Sequence, residues 1–155
     1  MTAAHTVPVT SSGATIAISA SLPATYDAAG YGATTITYTA IGDVSDHGAH
    51  GVTAAITKFT PVDTATVNKV KGSKDYGAKT LKIANIAGDA GQVILKAASE
   101  STAHYSVCIT YTDTEKHYLD VLVSKYEYND GSVDSVREIN CVLELCRAPV
   151  IVAAS

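Results

Sequence analysis

Tryptophan is absent from this chain of 155 residues, and phenylalanine and methionine occur once each. Aromatics make up only 6% of the chain, and Thr, Ser, Ala, Gly and Val dominate. That mix favours strands and turns over helices. Charge is scarce too: Asp, Glu, Lys and Arg make up 17% of the residues, against about a quarter in an ordinary soluble domain. A subunit that buries much of its surface against copies of itself tolerates such a deficit. The formal charge of −4 lacks the basic footprint that leads nucleic-acid binding. The three cysteines, Cys108, Cys141 and Cys146, are an odd number without metal-type spacing, so they read as buried reduced thiols in strands. The longest apolar stretch, Ala148 to Ala154, is far too short to cross a bilayer. No charged-then-apolar leader follows Met1. These features predict a protein made in a reducing cytoplasm, with no membrane partner, and a length that suits one domain with a real core.

What is present reads as strands. Thr15 to Ser19 alternates around Ile16 and Ile18 within a Thr/Ser/Ala-rich first segment, broken at Pro8 and Pro23, that otherwise resembles an extended arm. Thr34 to Ile41 is a β-branched and aromatic run that predicts a strand. Residues 42–51 have loop composition, and Val52 to Phe59 returns to a strand pattern. Residues 61–79 are polar, with little periodicity, and predict a long loop that concentrates Lys69, Lys71, Lys74 and Lys79. Leu81 to Ile86 predicts another strand.

One helix is expected from Asp89 to Glu100. The Asp89 carboxylate is a natural N-cap, Gln92 follows at capping-box spacing, and Ile94, Ala97 and Ala98 form an apolar stripe edged by Val93. Tyr105 to Tyr111 and Lys116 to Tyr128 are strands. Asn129-Asp130-Gly131 signals a tight hairpin turn into a long last strand, Val133 to Cys146. That strand has one apolar face and one carrying Asp134, Glu138 and Glu144. The expected fold is mainly β, a sandwich or barrel with one flanking α-helix.

Catalytic patterns are thin. His47 and His50 have ligand-like spacing but no completing cluster. A Cys108–His104 or Cys108–His117 dyad is conceivable, although a buried structural cysteine is the ordinary reading. No nucleotide or hydrolase motif appears, and no cofactor is expected. The lysine-rich segment is either a solvated loop or an arm that meets an acidic surface on another copy. The acidic strand face is either solvated or, in a ring of subunits, the wall of a channel along which DNA slides because its phosphates are repelled.

Several segments together resemble the tail tube proteins of siphophages, the group that includes the lambda major tail protein. They are Pro23-Ala24-Thr25-Tyr26-Asp27, Tyr38 to Gly42, Phe59-Thr60-Pro61-Val62-Asp63, Val70 to Gly77, Asp89-Ala90-Gly91-Gln92 with Leu95, and Gly131 to Val136. The resemblance covers most of residues 22–147. It implies a non-enzymatic structural subunit that forms stacked hexameric rings, with strands joining a ring-wide β-barrel around a lumen used in DNA ejection. Closure of that barrel leaves no free strand edges. The implied organisation is an arm at 1–22, a tube domain at 23–147 and a second arm at 148–155. The implied ring-stacking loop is within residues 42–51 or 61–79, with 61–79, carrying Lys69, Lys71, Lys74 and Asp75, favoured for its length and lysines, and Asp134 and Glu138 face the lumen. The implied partners are other copies, tail tip and terminator proteins, and a tape measure protein and DNA in the lumen. The implied location is the virion tail, assembled in the bacterial host cytoplasm. Related tube folds occur in contractile tails and secretion tubes. A different structural class, a capsid decoration or adhesin-like β-sandwich, is the alternative.

Overall fold

A computed structural model describes residues 10–154. Among these the elements run β1 (Thr15–Ser19), α1 (Ala28–Tyr31), β2 (Thr39–Ala40), β3 (Val44–Asp46), β4 (Thr53–Phe59), β5 (Asn68–Asp75) and β6 (Ala78–Ala84), then α2 (Ala90–Glu100), β7 (Tyr105–Thr110), β8 (Lys116–Asn129), β9 (Glu138–Leu145) and β10 (Val150–Val152). Eight strands form one sheet in the order β2-β1-β7-β8-β9-β6-β3, with β10 also paired to β8, and β4 and β5 form a separate two-stranded hairpin. All pairings are antiparallel.

The fold is mainly β, with α2 on its flank. β8 is the spine: its first half pairs with β7 and β10, and its second half pairs with β9. A register shift between Val123 and Lys125 lies in its middle, and such a bulge bends a strand and increases its twist. The sheet thereby curls, and Ile16 and Ile18 of β1 join Leu81 and Ile83 of β6, Leu119 and Val121 of β8, and Ile139 and Leu143 of β9 in one core. α2 adds Leu95 and Ala98. Alternation in the strands supplies the inward residues, which is why a sequence poor in aromatics still closes a core.

On the opposite face, Tyr31 of α1 stacks on Tyr118 of β8 at 5.3 Å between ring centres, with Cys108 and Tyr38 beside them. Asp120 is buried there and accepts hydrogen bonds from His104 Nδ1 at 3.0 Å and Arg147 Nε at 3.1 Å. This covered patch ends partway along β8, and beyond it the same face is bare.

Several expectations are corrected. Thr34 to Ile41 is not a full strand: only Thr39 and Ala40 pair, while Ile36 and Ile41 anchor an irregular segment by burial. Residues 61–79 are not a loop, because 68–75 form β5. The turn after Asn129 is not tight: residues 130–137 separate the paired Asn129 and Glu138, so the last long strand begins at 138. The buried stripe of α2 is Gly91, Gln92, Leu95 and Ala98 rather than Ile94, Ala97 and Ala98. Segments beyond 22 and 147 join the same sheet, β1 lying between β2 and β7 and β10 pairing with β8. Residues 1–9 and 155 of the expected arms lie outside the described residues.

Candidate functional site

The β4–β5 hairpin contributes no side chain to either core cluster. Its register, Lys58↔Lys69, Ile56↔Lys71 and Ala54↔Lys74, puts Lys58, Lys69, Lys71 and Lys74 on one face, because residues directly opposite share a side of the ribbon. The other face carries Phe59, Thr57 and Val70. Phe59 is 64% exposed and Val70 62%. The alternation of 69 and 71 would fall out of phase at 74. A bulge that sets Gly72 and Ser73 against Ala55 restores it. The result is an arm with a lysine-rich face and a mixed face that exposes Phe59 and Val70, neither packed on a core cluster among the described residues.

Of the expected stacking residues, Lys69, Lys71 and Lys74 therefore stand together on this arm, joined by Lys58, which sequence reasoning left out. Its signal was the alternation Ile56-Thr57-Lys58-Phe59. Asp75 lies at the arm's base, where its Oδ1 accepts from Gly77 N at 2.9 Å. Lys79 is not part of the arm at all. It is 1% exposed, on the core side of β6 in phase with Leu81 and Ile83, and burial pushes its pKa down to about 8.

The bare sheet face is formed by β6, β9 and the second half of β8. Cross-strand rows place Ala84, Glu138 and Asn129 side by side, then Lys82, Asn140 and Glu127, then Thr80, Val142 and Lys125, then Ala78, Glu144 and Leu122. Three carboxylates and two lysines leave this face one net negative charge. Lys125 and Glu127 pair at 2.9 Å, both about half exposed. Glu138 lies on this face, whereas Asp134 sits in the exposed 130–137 loop at the end of the hairpin. Glu127, Glu144, Lys82 and Lys125 complete the face.

Asp89 stands at the N-cap of α2, its Oδ2 accepting from Gln92 N at 3.0 Å and from Gly42 N at 3.2 Å. The capping box does not close. Gln92 instead accepts from Ile86 N and donates to Ala84 O and Gly42 O, stitching the helix to β6 and to the 42 turn.

The conceivable thiol dyads do not form. His104 binds Asp120, and His117 binds His50 and Glu115. Burial also raises the Cys108 thiol pKa, which disfavours the nucleophilic thiolate. Among the described residues no cluster of three His, Cys, Asp or Glu side chains is arranged to hold a metal.

No family model and no curated protein matches the sequence. Solved structures do match its fold. The chain is similar to one in the six-fold symmetrised baseplate of the anti-feeding prophage, with TM-score 0.69 and 11% identity over 97% of this chain and 99% of that one. It is similar to the SPP1 tail tube, with TM-score 0.64 and 14% identity over 93% of this chain and 78% of that one. A chain from the sheath/tube terminator structure of the PVC extracellular contractile injection system matches at TM-score 0.67 and 8% identity, over 97% and 100%. The fold is the tail-tube fold. The curled sheet with a flanking helix is thus shared between a phage tail tube and parts of contractile injection systems, at identities that carry architecture alone.

Proposed function

We propose that the chain is a tail tube subunit of a long-tailed bacteriophage that polymerises as stacked hexameric rings and performs no catalysis. The observation that carries the reading is the projecting arm, with four lysines on one face and exposed Phe59 and Val70 on the other. Exposed apolar side chains such as Phe59 and Val70 on a projecting element favour an interaction site, and a contact between unlike patches on successive copies propagates instead of closing on itself. The tail-tube fold, the six-fold symmetry of the anti-feeding prophage baseplate and the SPP1 tail tube support it.

In this arrangement the arm joins one ring to the next. The bare face of β6, β8 and β9 lines the lumen, with Glu138 on the wall and Asp134 at its rim. Its slight negative charge lets DNA pass without adhering. Ring closure extends the sheet across subunits and covers its free edges. The tape measure protein and DNA occupy the lumen in turn. Tail tip and terminator proteins cap the tube, which is assembled in the host cytoplasm and retained in the virion tail.

Negative-stain electron microscopy of the concentrated protein is the direct test. Hollow tubes or six-fold rings are the expected result, and discrete trimers would replace this reading with that of a capsid decoration protein. The Lys69→Glu, Lys71→Glu, Lys74→Glu triple variant should stay folded by circular dichroism but polymerise poorly. Tubes of normal length from that variant would remove electrostatic stacking from the arm's role.

A further inference from the structure

We infer that a partly buried polar chain, Lys79–His50–His117–Glu115, fixes the angle of the β4–β5 arm, and that protonating His50 frees the arm to swing. This rests on the reading of the arm as a contact between copies only for its consequence in assembly; the device itself belongs to the single subunit.

The arm joins the body through two short connections, and the chain grips both. His50 lies three residues before β4, and Lys79 four residues after β5. Lys79 Nζ donates to Gly48 O at 3.4 Å and to His50 Nδ1 at 3.3 Å. His50 Nε2 meets His117 Nδ1 at 2.7 Å, and His117 Nε2 meets Glu115 Oε1 at 2.6 Å. Roots that are adjacent to the arm in sequence are thereby tied to the start of β8, far away in the chain. Gly77 O also accepts from Leu145 N at 3.0 Å and Tyr76 packs against the core, so the second root is held to the body just before β6. Gly51 has nothing near the place a side chain would occupy, and neither does Gly77, whose φ of +72° suits glycine. A cleft of about 230 Å³ lies beside His50, Val52, Tyr76 and Gly77, so the arm has room to move.

The donor and acceptor roles fix the protons. An ammonium group only donates, so His50 Nδ1 accepts and carries its proton on Nε2. That proton is given to His117 Nδ1, which leaves the His117 proton on Nε2, facing the Glu115 carboxylate. The chain is satisfied with both rings neutral. A proton added at His50 Nδ1 would set it against the Lys79 ammonium, two donors facing each other, and break that link.

Surrounding groups sharpen this behaviour. Asp46 on β3 supports the charge of Lys79, and His47 lies close to both. Tyr111 at the end of β7 packs edge-on to His117 at 5.1 Å between ring centres, and Asp113 shares the turn with Glu115. Burial first, then the charge of Lys79, then His117, push His50 down to about 4 from its ordinary 6.5. A base with a lowered native pKa withholds a proton that the released state binds. The latch is therefore intact above about pH 6.5 and weakens as pH falls toward about 4.

Hydrogen–deuterium exchange on the full chain, kept dilute and corrected for intrinsic rates, reads the latch directly. Between pH 7.5 and 4.5, protection at residues 51–54 and 74–78 should fall on the order of ten-fold, while β7 and the first half of β8 hold. Lys79→Met should show the acid-level exchange already at pH 7.5. The His50→Phe, His117→Phe double variant, which keeps only the neighbouring His47 ring, should lose most of the pH response. Flat exchange in the wild type, or the same acid response in the double variant, would overturn the inference. Should the double variant fail to fold, imidazole nitrogen shifts of the wild type decide: both rings should carry the Nε2 proton at pH 7.5, and an Nδ1 proton on His117 would sink it. Absence of tubes at every pH would count against the tube reading and leave these subunit measurements unaffected.

Discussion

Gly91 has no room for a side chain. A Cβ there would stand 2.2 Å from Ala40 O and 2.7 Å from the Ile41 Cα, both backbone atoms that cannot turn aside. Alanine ordinarily gains up to about 1 kcal/mol over glycine inside a helix, but overpacking against backbone costs about 1–3 kcal/mol. Gly91→Ala is therefore expected to lower the melting temperature by several degrees, and an unchanged or higher value in a thermal scan would refute the close packing of α2 on β2. Asp120 presents the opposite balance. Its carboxylate is buried, yet His104 and Arg147 are about half exposed and can turn to water when it is lost. Asp120→Ala should thus cost about 1–3 kcal/mol, below the toll of orphaning a fully buried charge, as urea unfolding would measure. Lys79 gives a residue-scale pH effect of its own. Its native pKa of about 8 lies below the ordinary 10.5, so the unfolded chain binds more protons between those values. Stability should rise with pH across that window, and Lys79→Met should remove the slope.

The arm is the element whose nature was hardest to read. Lys, Gly, Asn and Asp are poor strand formers, so residues 68–75 carry the composition of a loop. Their alternation becomes visible only if an extra residue is allowed at Gly72-Ser73. That bulge is a property of pairing with β4, which the local sequence cannot specify. Lys79 sits among charged and polar neighbours in sequence, yet it alternates in phase with Leu81 and Ile83 toward the core. Other elements were plain. Asp89 before an amphipathic run located α2, and alternating branched residues located β1, β7, β8 and the paired part of β9. Because the arm adds nothing to the core, replacing residues 54–74 with a short Gly/Ser turn should leave the unfolding transition of the body nearly unchanged while abolishing assembly. A large loss of stability in that deletion would show that the arm is structural instead.

Across the whole molecule, one side of the curled sheet is filled by the core and α2. The other is split between a patch covered by tyrosines and a bare, charged face. Stacking that depends on the lysine face must weaken as salt shortens the reach of charge, from about 10 Å at 0.1 M to about 3 Å at 1 M. The concentration needed for tube growth, followed by light scattering, should rise between those conditions in the wild type. It should change little in a variant with Lys58, Lys69, Lys71 and Lys74 all replaced by glutamine. Equal salt sensitivity in both would assign the contact to other charges.

By itself the sequence determined a mainly β domain, its single long helix, the inward-facing residues of most strands and the lysine concentration at 69–74. Each of these is written in periodicity and capping over a few neighbouring residues. Only the tertiary structure decided that those lysines share one face of a paired arm, that Glu127, Glu138 and Glu144 share a bare face with Lys82 and Lys125, and that Lys79 is buried beside His50 and His117. All three depend on register and on contacts between segments distant in the chain, and a local pattern carries no record of the partner that completes it.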